Sequence, residues 1–182
     1  MEDLVQARTA DLHRLAHYDP LTGLPNRALF VETLKKTLGQ AQHHGWSVAV
    51  LFVDVDHFKS VNDTLGHALG DELLAQLSSR LVDCVRLRDT VGRLGGDEFA
   101  MILVMEDRGQ GAALVANKIR AALRAPFNLN GHEATVTASL GVTVHPEDGS
   151  DPETLIKYAD TAMYRAKQAG RDTFRFFTAQ MN

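Results

Sequence analysis

The apolar positions of this chain recur at two spacings, that of an amphipathic helix and that of a β-strand. Residues 46–56, WSVAVLFVDVD, are almost continuously apolar and end in two acids, a pattern typical of a central strand buried on both faces. Helical spacing precedes this run, beginning after the capping residue Asn26 and reaching about His44, where Gly45 ends it. Another helix is predicted over residues 1–17, but its apolar positions fall short of the three to four heptads of a coiled coil.

The rest of the chain continues this alternation of helices and strands. Two apolar runs flank Gly95 and Gly96, a standard signal for a two-residue hairpin. Helices that alternate with strands around one antiparallel hairpin predict an α+β fold, with helices packed on a mixed sheet. The other predicted elements are two helices within residues 58–87 interrupted around Gly66, a helix near 110–124, a strand near 134–144, a helix from about Pro152 to Gln168 and a strand over 173–177.

Composition narrows the class of protein. The chain has 182 residues, is 45% hydrophobic and carries a net charge of −4, which predicts one well-packed globular domain and argues against general binding of nucleic acid. A phosphate site would therefore be local and metal-assisted. The one cysteine, Cys84, stands in an apolar setting and reads as a buried filler in a reducing compartment. Without a secretion signal or an apolar run of about 18 residues, we expect a cytoplasmic segment that makes no membrane contact.

Four acids stand where strands end or turn. The hairpin explains the glycines of GRLGGDEFAMIL but not Asp97 and Glu98, because adjacent carboxylates repel each other unless a cation lies beside them. Asp54 and Asp56 follow the predicted central strand, so Asp54 with Asp97 or Glu98 predicts a magnesium site. Capping of the next helix is the alternative, and for Asp56 it stays equally open. A calcium loop is excluded, because an apolar residue, Phe58, stands at a ligand position.

Five motifs in order carry a family resemblance. DPLTGLPNR, DVDHFKSVND, GHALGD, RLGGDEF and ADTAMYRAKQAGRD lie between residues 18 and 177 and together closely resemble the GGDEF family of diguanylate cyclases. The resemblance implies a mixed sheet flanked by helices, similar to nucleotide-cyclase and polymerase palm domains with a ferredoxin-like core. It also implies condensation of two GTP into cyclic di-GMP and two pyrophosphates, by a homodimer in which each subunit holds one GTP.

The resemblance assigns the acids to metal binding and catalysis. It implies that Mg²⁺, or Mn²⁺, is held by Asp54, the backbone carbonyl of Val55, Asp97 and Glu98. Asp97 is then the base, with Glu98 beside it and Lys59 facing the phosphates. Which of the two acids contributes more stays open.

The resemblance also implies a GTP site. Asp71, with Asn62 beside it, would accept hydrogen bonds from the guanine edge, and Lys167 and Arg171 would meet the phosphates. Each has an ordinary alternative: Asp71 as an acid in the first turn of a helix, Lys167 and Arg171 as cations at a helix C-terminus, and His67 as a helix-terminal histidine. The implied substrate residues are Asn62, His67, Asp71, Gly95, Gly96, Lys167 and Arg171.

A product site is implied by the segment RLRD. Arg86 and Asp89 stand at the spacing of the family's inhibitory site for cyclic di-GMP, with Lys118 where the family more often has arginine, which suggests weaker product binding. The alternative is a solvated helix end with an ion pair between Arg86 and Asp89. Asp172 is a second departure, because the family more often has asparagine there.

The ends of the chain resemble connections to other domains. We expect a linker helix over residues 1–17, the GGDEF domain over 18–177 and a stub over 178–182 that leads toward an EAL phosphodiesterase domain, with a sensory module upstream. In such tandem proteins a GGDEF domain can instead sense GTP for its neighbour. This regulatory module is the leading alternative to a cyclase, and a plain dimerisation domain is a weaker one.

Overall fold

The computed structural model of the chain describes residues 2–106 and 110–182. In these ranges the helices are α1 (Glu2–His17), α2 (Arg27–His44), α3 (Phe58–Leu65), α4 (His67–Asp83), α5 (Gln110–Arg124) and α6 (Pro152–Gln168), with a 3₁₀ turn at Ala179–Met181. The strands are β1 (Ser47–Val55), β2 (Thr90–Gly95), β3 (Glu98–Met105), β4 (Phe127–Leu129), β5 (His132–Ala134), β6 (Ala138–His145) and β7 (Phe174–Phe176).

The caps of α2 and α6 show why these helices begin and end where they do. The side chain of Asn26 accepts a hydrogen bond from the backbone N–H of Leu29 at 3.1 Å, and Gly45 ends α2 in the left-handed conformation. Asp151 caps α6 in the same way, with Pro152 in its first turn. The predicted limits of α2 and α6 are therefore confirmed.

The main sheet is mixed and has β1 at its centre. Its strand order is β2-β3-β1-β6-β7, where β7 runs parallel to β6 and the other neighbouring strands are antiparallel. Every residue of β1 is buried. The predicted fold class, helices packed on a mixed sheet with a central strand buried on both faces, is confirmed.

Helices cover both faces of the sheet. Val48 and Phe52 of β1 pack in one hydrophobic cluster with α2 and α6, whereas Ala49 and Val53 pack in a second cluster with α4 and α5. This alternation is the two-residue period of a strand. Asp54 continues the even-numbered series, so the sequence places it on the face that α6 covers.

Two predicted boundaries are wrong. Gly95 still pairs with Glu98, so the hairpin loop is Gly96–Asp97 rather than Gly95–Gly96, after an irregularity between Arg93 and Gly95. The strand predicted near 134–144 begins at Ala138, because residues 132–134 form a separate short hairpin with β4. The shift at the first hairpin places Asp97 in the turn itself.

Two smaller expectations concern burial and hydropathy. Cys84 is 5% exposed, and burial raises the pKa of its thiol, which confirms a buried filler. Across the described parts of the chain, no helix has both the length and the apolar character that crossing a bilayer requires.

Candidate active site

Asp54 lies at the end of the central strand in a site of unbalanced charge. It is 5% exposed and stands directly opposite Glu98 on β3. One of its oxygens, Oδ2, accepts from the ammonium of Lys167 on α6. The other, Oδ1, is buried and has no hydrogen-bond partner among the described residues. Like charges at directly opposed positions destabilise a sheet, so this arrangement needs positive charge.

The Gly96–Asp97 turn brings a third carboxyl to this place. The backbone N–H of Val55 lies 3.4 Å from the carbonyl of Asp97, which joins the end of β1 to the turn. Burial, followed by the adjacent carboxyl of Asp54, raises the pKa of Asp97 to about 7. Burial and the charges of Asp54 and Asp160 likewise raise the pKa of Glu98, against the opposing influence of Lys167 and Arg27. Deprotonation of these acids is therefore costly without a cation.

The donor set fits a hard divalent cation. Lys167 contacts one oxygen of Asp54, but two ionised carboxylates cannot donate to each other, so a proton or a metal ion between Asp54 and Asp97 would relieve their repulsion. Carboxylate oxygens and a backbone carbonyl are the ligands that Mg²⁺ and Mn²⁺ accept. Within residues 2–106 and 110–182, no three His, Cys, Asp or Glu side chains are close enough to form a ready-made metal cage.

Two charged residues beside Glu98 were missed by the sequence analysis. Asp160 of α6 and Arg27 of α2 both influence the pKa of Glu98, and burial raises the pKa of Asp160 itself. Asp160 stands seven residues before Lys167, two helical turns along the same face, so helical spacing was a usable signal. A cavity of about 470 Å³ adjoins them; its lining is Arg27, Val31, Phe52, Glu98, Glu153, Ile156, Lys157 and Asp160.

Arg93 fixes the turn that carries Asp97. Its Nε and Nη2 donate to the carbonyl of Gly96 at 3.0 and 2.8 Å, while Nη1 contacts both carboxylate oxygens of Asp19 at 3.0 and 3.1 Å. Asp19 also accepts from the backbone N–H and hydroxyl of Thr22. One guanidinium group thus joins the segment after α1 to the acidic turn. Gly96 has φ +49°, a conformation that favours glycine, and a Cβ there would meet nothing within 4 Å.

Asp56 does not cap α3. His57 takes the cap position without a side-chain hydrogen bond, so the capping alternative is wrong. Asp56 is 3% exposed and accepts from the hydroxyls of Thr137 and Ser139, both at 2.7 Å, and from the backbone N–H of Asp172 at 3.1 Å. It therefore ties the end of β1 to β6 and to the segment after α6.

The predicted guanine residues lie on α3 and α4. Asn62 packs against Gly70, where a Cβ would come within 1.8 Å of its side-chain oxygen, so Asn62 is next to the turn that carries Asp71. Because α4 begins at His67, Asp71 is in the second turn, and its reading as a first-turn acid is wrong. His67 is indeed helix-terminal, and His67, Asp71 and Lys59 are exposed.

The predicted phosphate residues lie at the end of α6. Lys167 is a cation in the last turn of α6, as its ordinary alternative predicted, and it also forms an ion pair with Asp54, which that alternative did not predict. Arg171 lies beyond the helix, exposed, with a left-handed backbone at φ +64°. The carboxylate of the next residue, Asp172, contacts two arginines of α5, Arg120 and Arg124.

The segment of the predicted product site is a turn rather than a helix end. Helix α4 ends at Asp83, and Asp89 accepts from the backbone N–H groups of Arg86 at 3.0 Å and Val104 at 3.1 Å. The alternative interpretation, a helix end with a side-chain ion pair between Arg86 and Asp89, is therefore wrong. Arg86 is exposed, as is Lys118 on α5.

Known proteins place this geometry in a family. Residues 16–173 match the family model described as "Diguanylate cyclase, GGDEF domain". The chain is 41% identical over 179 residues to the diguanylate cyclase TpbB of Pseudomonas aeruginosa, covering 98% of this chain and 41% of TpbB. It is also 41% identical over 172 residues to the bifunctional diguanylate cyclase/cyclic di-GMP phosphodiesterase MucR of the same species, covering 94% of this chain and 25% of MucR.

A solved structure agrees with these matches. An N-terminally shortened TpbB from Pseudomonas aeruginosa that comprises only the GGDEF domain superposes with a TM-score of 0.88 at 40% identity, covering 91% of this chain and 96% of that one. The present chain spans less than half the length of either full-length relative. The fold, the order of the motifs and these matches together show that the chain belongs to the GGDEF diguanylate cyclase family.

Proposed function

We propose that this chain is a diguanylate cyclase domain that condenses two GTP into cyclic di-GMP and two pyrophosphates. The observation that carries the proposal is the position of Asp54 at the end of β1, directly opposite Glu98 and next to the turn that carries Asp97. There one buried oxygen of Asp54 has no hydrogen-bond partner in the described part of the chain, and burial followed by the Asp54 carboxyl raises the pKa of Asp97 to about 7. Acids with strongly shifted pKa values are concentrated at functional sites.

A divalent cation, Mg²⁺ or Mn²⁺, completes the proposed site. Asp54, the carbonyl of Val55, Asp97 and Glu98 would hold it. Such an ion neutralises phosphate charge and makes a hydroxyl easier to deprotonate. The raised pKa values of Asp97 and Glu98 support this role, because burial, and after it the neighbouring carboxyl of Asp54, disfavours their ionised forms, and a cation would offset both effects.

The acidic turn supplies the proposed base. In this proposal Asp97 would take a proton from the ribose 3′-hydroxyl and release it afterwards, the role that the family resemblance implies. Glu98, half-buried beside Asp54, completes the acidic pair. Arg93 holds the carbonyl of Gly96 and so fixes the direction in which Asp97 leaves the turn.

Cations and amides bind the rest of GTP in this proposal. Lys59, Lys167 and Arg171 meet the phosphates, and Asn62 with Asp71 accepts from the guanine edge while His67 borders it. Gly95 and Gly96 leave the turn open, since a Cβ on either would meet nothing within 4 Å. The proximity of Asn62 to the α4 turn that carries Asp71 supports the guanine assignment.

Catalysis requires two such sites to face each other, so we infer a homodimer. Each subunit holds one GTP, and the reacting hydroxyl and phosphate come from different subunits. Cyclic di-GMP then inhibits at Arg86, Asp89 and Lys118. Lys118 cannot make the two-pronged contact of an arginine, which predicts modest inhibition.

The surroundings of the domain are also proposed. The chain covers only a quarter of MucR, whose name combines cyclase and phosphodiesterase, so we place this domain in a longer protein with a sensory module before it and a phosphodiesterase domain after it. Residues 1–17, 18–177 and 178–182 are then linker helix, cyclase domain and connecting stub. Consumption of GTP places the domain in the cytoplasm.

The test is conversion of GTP to cyclic di-GMP over a range of protein concentrations, with and without Mg²⁺. We expect a specific rate that rises with protein concentration, requires the ion and is lost in Asp97→Asn. Asp151→Asn is the matched control: asparagine caps a helix as well as aspartate does, so α6 and the rate should be unchanged.

The leading alternative gives a different result in the same assay. A GTP-sensing regulatory domain would bind GTP without forming product at any protein concentration. A dimerisation domain would not bind GTP. Either outcome would contradict the proposed cyclase.

A further inference from the structure

The segment after α6 has a strained backbone. Arg171 and Asp172 are consecutive residues with φ of +64° and +47°, in the left-handed region; aspartate tolerates this region but arginine disfavours it, so the strain lies at Arg171. Strain of this kind persists only where the surrounding structure enforces it, and it is concentrated at functional sites. The contacts that enforce it here converge on Asp172.

Asp172 is held from three directions. Arg120 of α5 donates to its backbone carbonyl at 2.7 Å and approaches its carboxylate at 3.5 Å, while Arg124 contacts the other carboxylate oxygen. The backbone N–H of Asp172 donates to Asp56 at 3.1 Å. The Asp172 and Arg120 side chains are 24% and 23% exposed, so the contact between them is largely shielded from water, whereas Arg124 is more exposed.

Asp56 gives this arrangement a rigid base. It is buried, and the hydroxyls of Thr137 and Ser139 hold its two oxygens. Because Asp56 follows β1 directly, the segment after α6 is fixed to the same strand end that carries Asp54. We call Asp56, Asp172, Arg120 and Arg124 the Asp172 clamp.

Arg171 is kept beside the last turn of α6. The backbone N–H of Arg171 donates to the carbonyl of Ala166 at 3.1 Å, which folds the segment back on the last turn of α6. That turn carries Lys167, which contacts Asp54. Two cations, Lys167 and Arg171, are therefore presented from one short stretch, and Arg171 depends on the strained backbone for its direction.

We propose that Asp172 is a positioning residue: through the clamp it holds Arg171 in the direction needed to bind a GTP phosphate, and it joins α5 to the phosphate end of the site. The inference rests on the proposed function, in which Arg171 is a phosphate ligand. The negative charge of Asp172 does not oppose the phosphates, because two guanidinium groups balance it. Fixing a binding group in advance reduces the entropy lost on binding.

The binding test uses the α,β-methylene analogue of GTP and four variants: Asp172→Ala, Asp172→Asn, Arg171→Gln and the double variant Asp172→Ala with Arg171→Gln. Asp172→Ala should weaken binding about tenfold, as the loss of one phosphate contact would. Asp172→Asn should restore most of it, because asparagine tolerates the left-handed conformation and keeps an acceptor. With GTP as substrate, Asp172→Ala should raise KM more than it lowers kcat.

The double variant decides whether Asp172 acts through Arg171. If it does, Asp172→Ala has almost no further effect once Arg171 is already Gln. A full, additive loss in the double variant would overturn the proposal, because Asp172 would then act independently of Arg171.

Amide hydrogen exchange tests the clamp without any nucleotide. Arg120→Gln should speed exchange at the backbone N–H groups of Arg171 and Asp172 by about tenfold or more, in line with a local opening that has become easier. Arg80→Gln is the matched control, since Arg80 also donates to backbone carbonyls at the end of α5 but does not contact the clamp. Arg124→Gln, at a more exposed position, serves if Arg120→Gln does not fold.

The two readouts separate the possible failures. Unchanged exchange in Arg120→Gln, or equal acceleration in Arg80→Gln, would overturn the clamp. Failure of the unaltered chain to bind the analogue would overturn the proposed function and with it the phosphate role of Arg171, while exchange would still decide whether Asp172 holds the segment.

Discussion

Two aspartates at the end of β1 have the same chemistry and opposite surroundings. Asp56 is buried, and three donors contact its two oxygens. Asp54 is also buried, but only one of its oxygens contacts Lys167, and the other has no partner within residues 2–106 and 110–182. Burial alone therefore does not identify a functional acid. What distinguishes Asp54 is incomplete satisfaction in a region that also holds Asp97 and Glu98, because a buried polar group without its partner is costly to keep.

The first prediction, with the largest expected effect, is that substitution of Asp97 beside Asp54 lowers activity but not stability. Asp97→Asn should lower the cyclase rate by about 10³-fold, the scale of a lost acid–base group. In the presence of a chelator and at mildly alkaline pH, the free energy of unfolding should stay equal or increase, because one of several crowded negative charges is removed. Rates and urea denaturation measure the two effects. A clear loss of stability would instead assign Asp97 a structural role.

The second prediction is that substitution of Asp56, unlike that of Asp97, lowers stability. Asp56→Ala leaves two hydroxyls and one backbone N–H without their acceptor, which should lower the free energy of unfolding by roughly 2–4 kcal/mol. Urea denaturation is the measurement, and Asp56→Asn, which keeps one acceptor oxygen, should lose less. An unchanged midpoint for Asp56→Ala would remove the contrast between the two aspartates.

The third prediction concerns the guanidinium group that holds the acidic turn. Arg93→Lys cannot contact Gly96 and Asp19 together as the arginine fork does, so the turn should shift and the rate should fall by roughly 10–100-fold. Steady-state rates at saturating GTP are the measurement. The same change at Arg14, in an exposed ion pair on α1, should have no effect. Equal rates for Arg93→Lys and the unaltered chain would show that the Gly96–Asp97 turn keeps its conformation without the arginine contacts.

The smallest predicted effect is a dependence on pH at Asp19. Burial alone raises the pKa of Asp19, but hydrogen bonds from Thr22 and the contact with Arg93 outweigh burial and lower it. A lowered folded-state pKa gives stability that is present above the unfolded pKa and is lost as pH falls through the folded value.

Asp19→Asn should therefore cost roughly 1 kcal/mol near neutral pH, and this cost should shrink below about pH 4. Urea denaturation of both proteins across this range measures it. The exposed Asp11→Asn is the control, with little expected effect at any pH. A cost that does not vary with pH would mean that the charge of Asp19 is unimportant.

Local sequence signals predicted most of the fold. Helical periodicity, the N-cap Asn26 and the C-cap Gly45 predicted the limits of α2. The apolar run of residues 46–56 predicted the central strand β1. The β4–β5 hairpin was not predicted, because its three-residue strands are too short to show a period of two. The Gly-Gly signal placed the hairpin loop one residue too early. Gly95 pairs with Glu98, and this pairing depends on the register between β2 and β3, which the local sequence does not reveal.

The site was predictable where chemistry lies at strand ends and unpredictable where it depends on distant contacts. Asp54, Asp97 and Glu98 were visible as acids in a pattern that disfavours them. The partners of Asp172 lie 52 and 48 residues earlier, at Arg120 and Arg124, so no spacing rule reveals them. The satisfied surroundings of Asp56 were hidden for the same reason.

Helix α1 exposes a stripe of apolar side chains, and its helical content can be followed by spectroscopy. Leu4, Val5, Leu12 and Leu15 are 58 to 67% exposed, while Asn26 ties only the last turn of the helix to the chain that follows. A helix of 16 residues that packs on little else is marginally stable in water. Its helical content therefore depends on whether the stripe is covered. Far-ultraviolet circular dichroism, followed on dilution, would then report assembly of the proposed dimer as a loss of ellipticity from this one helix.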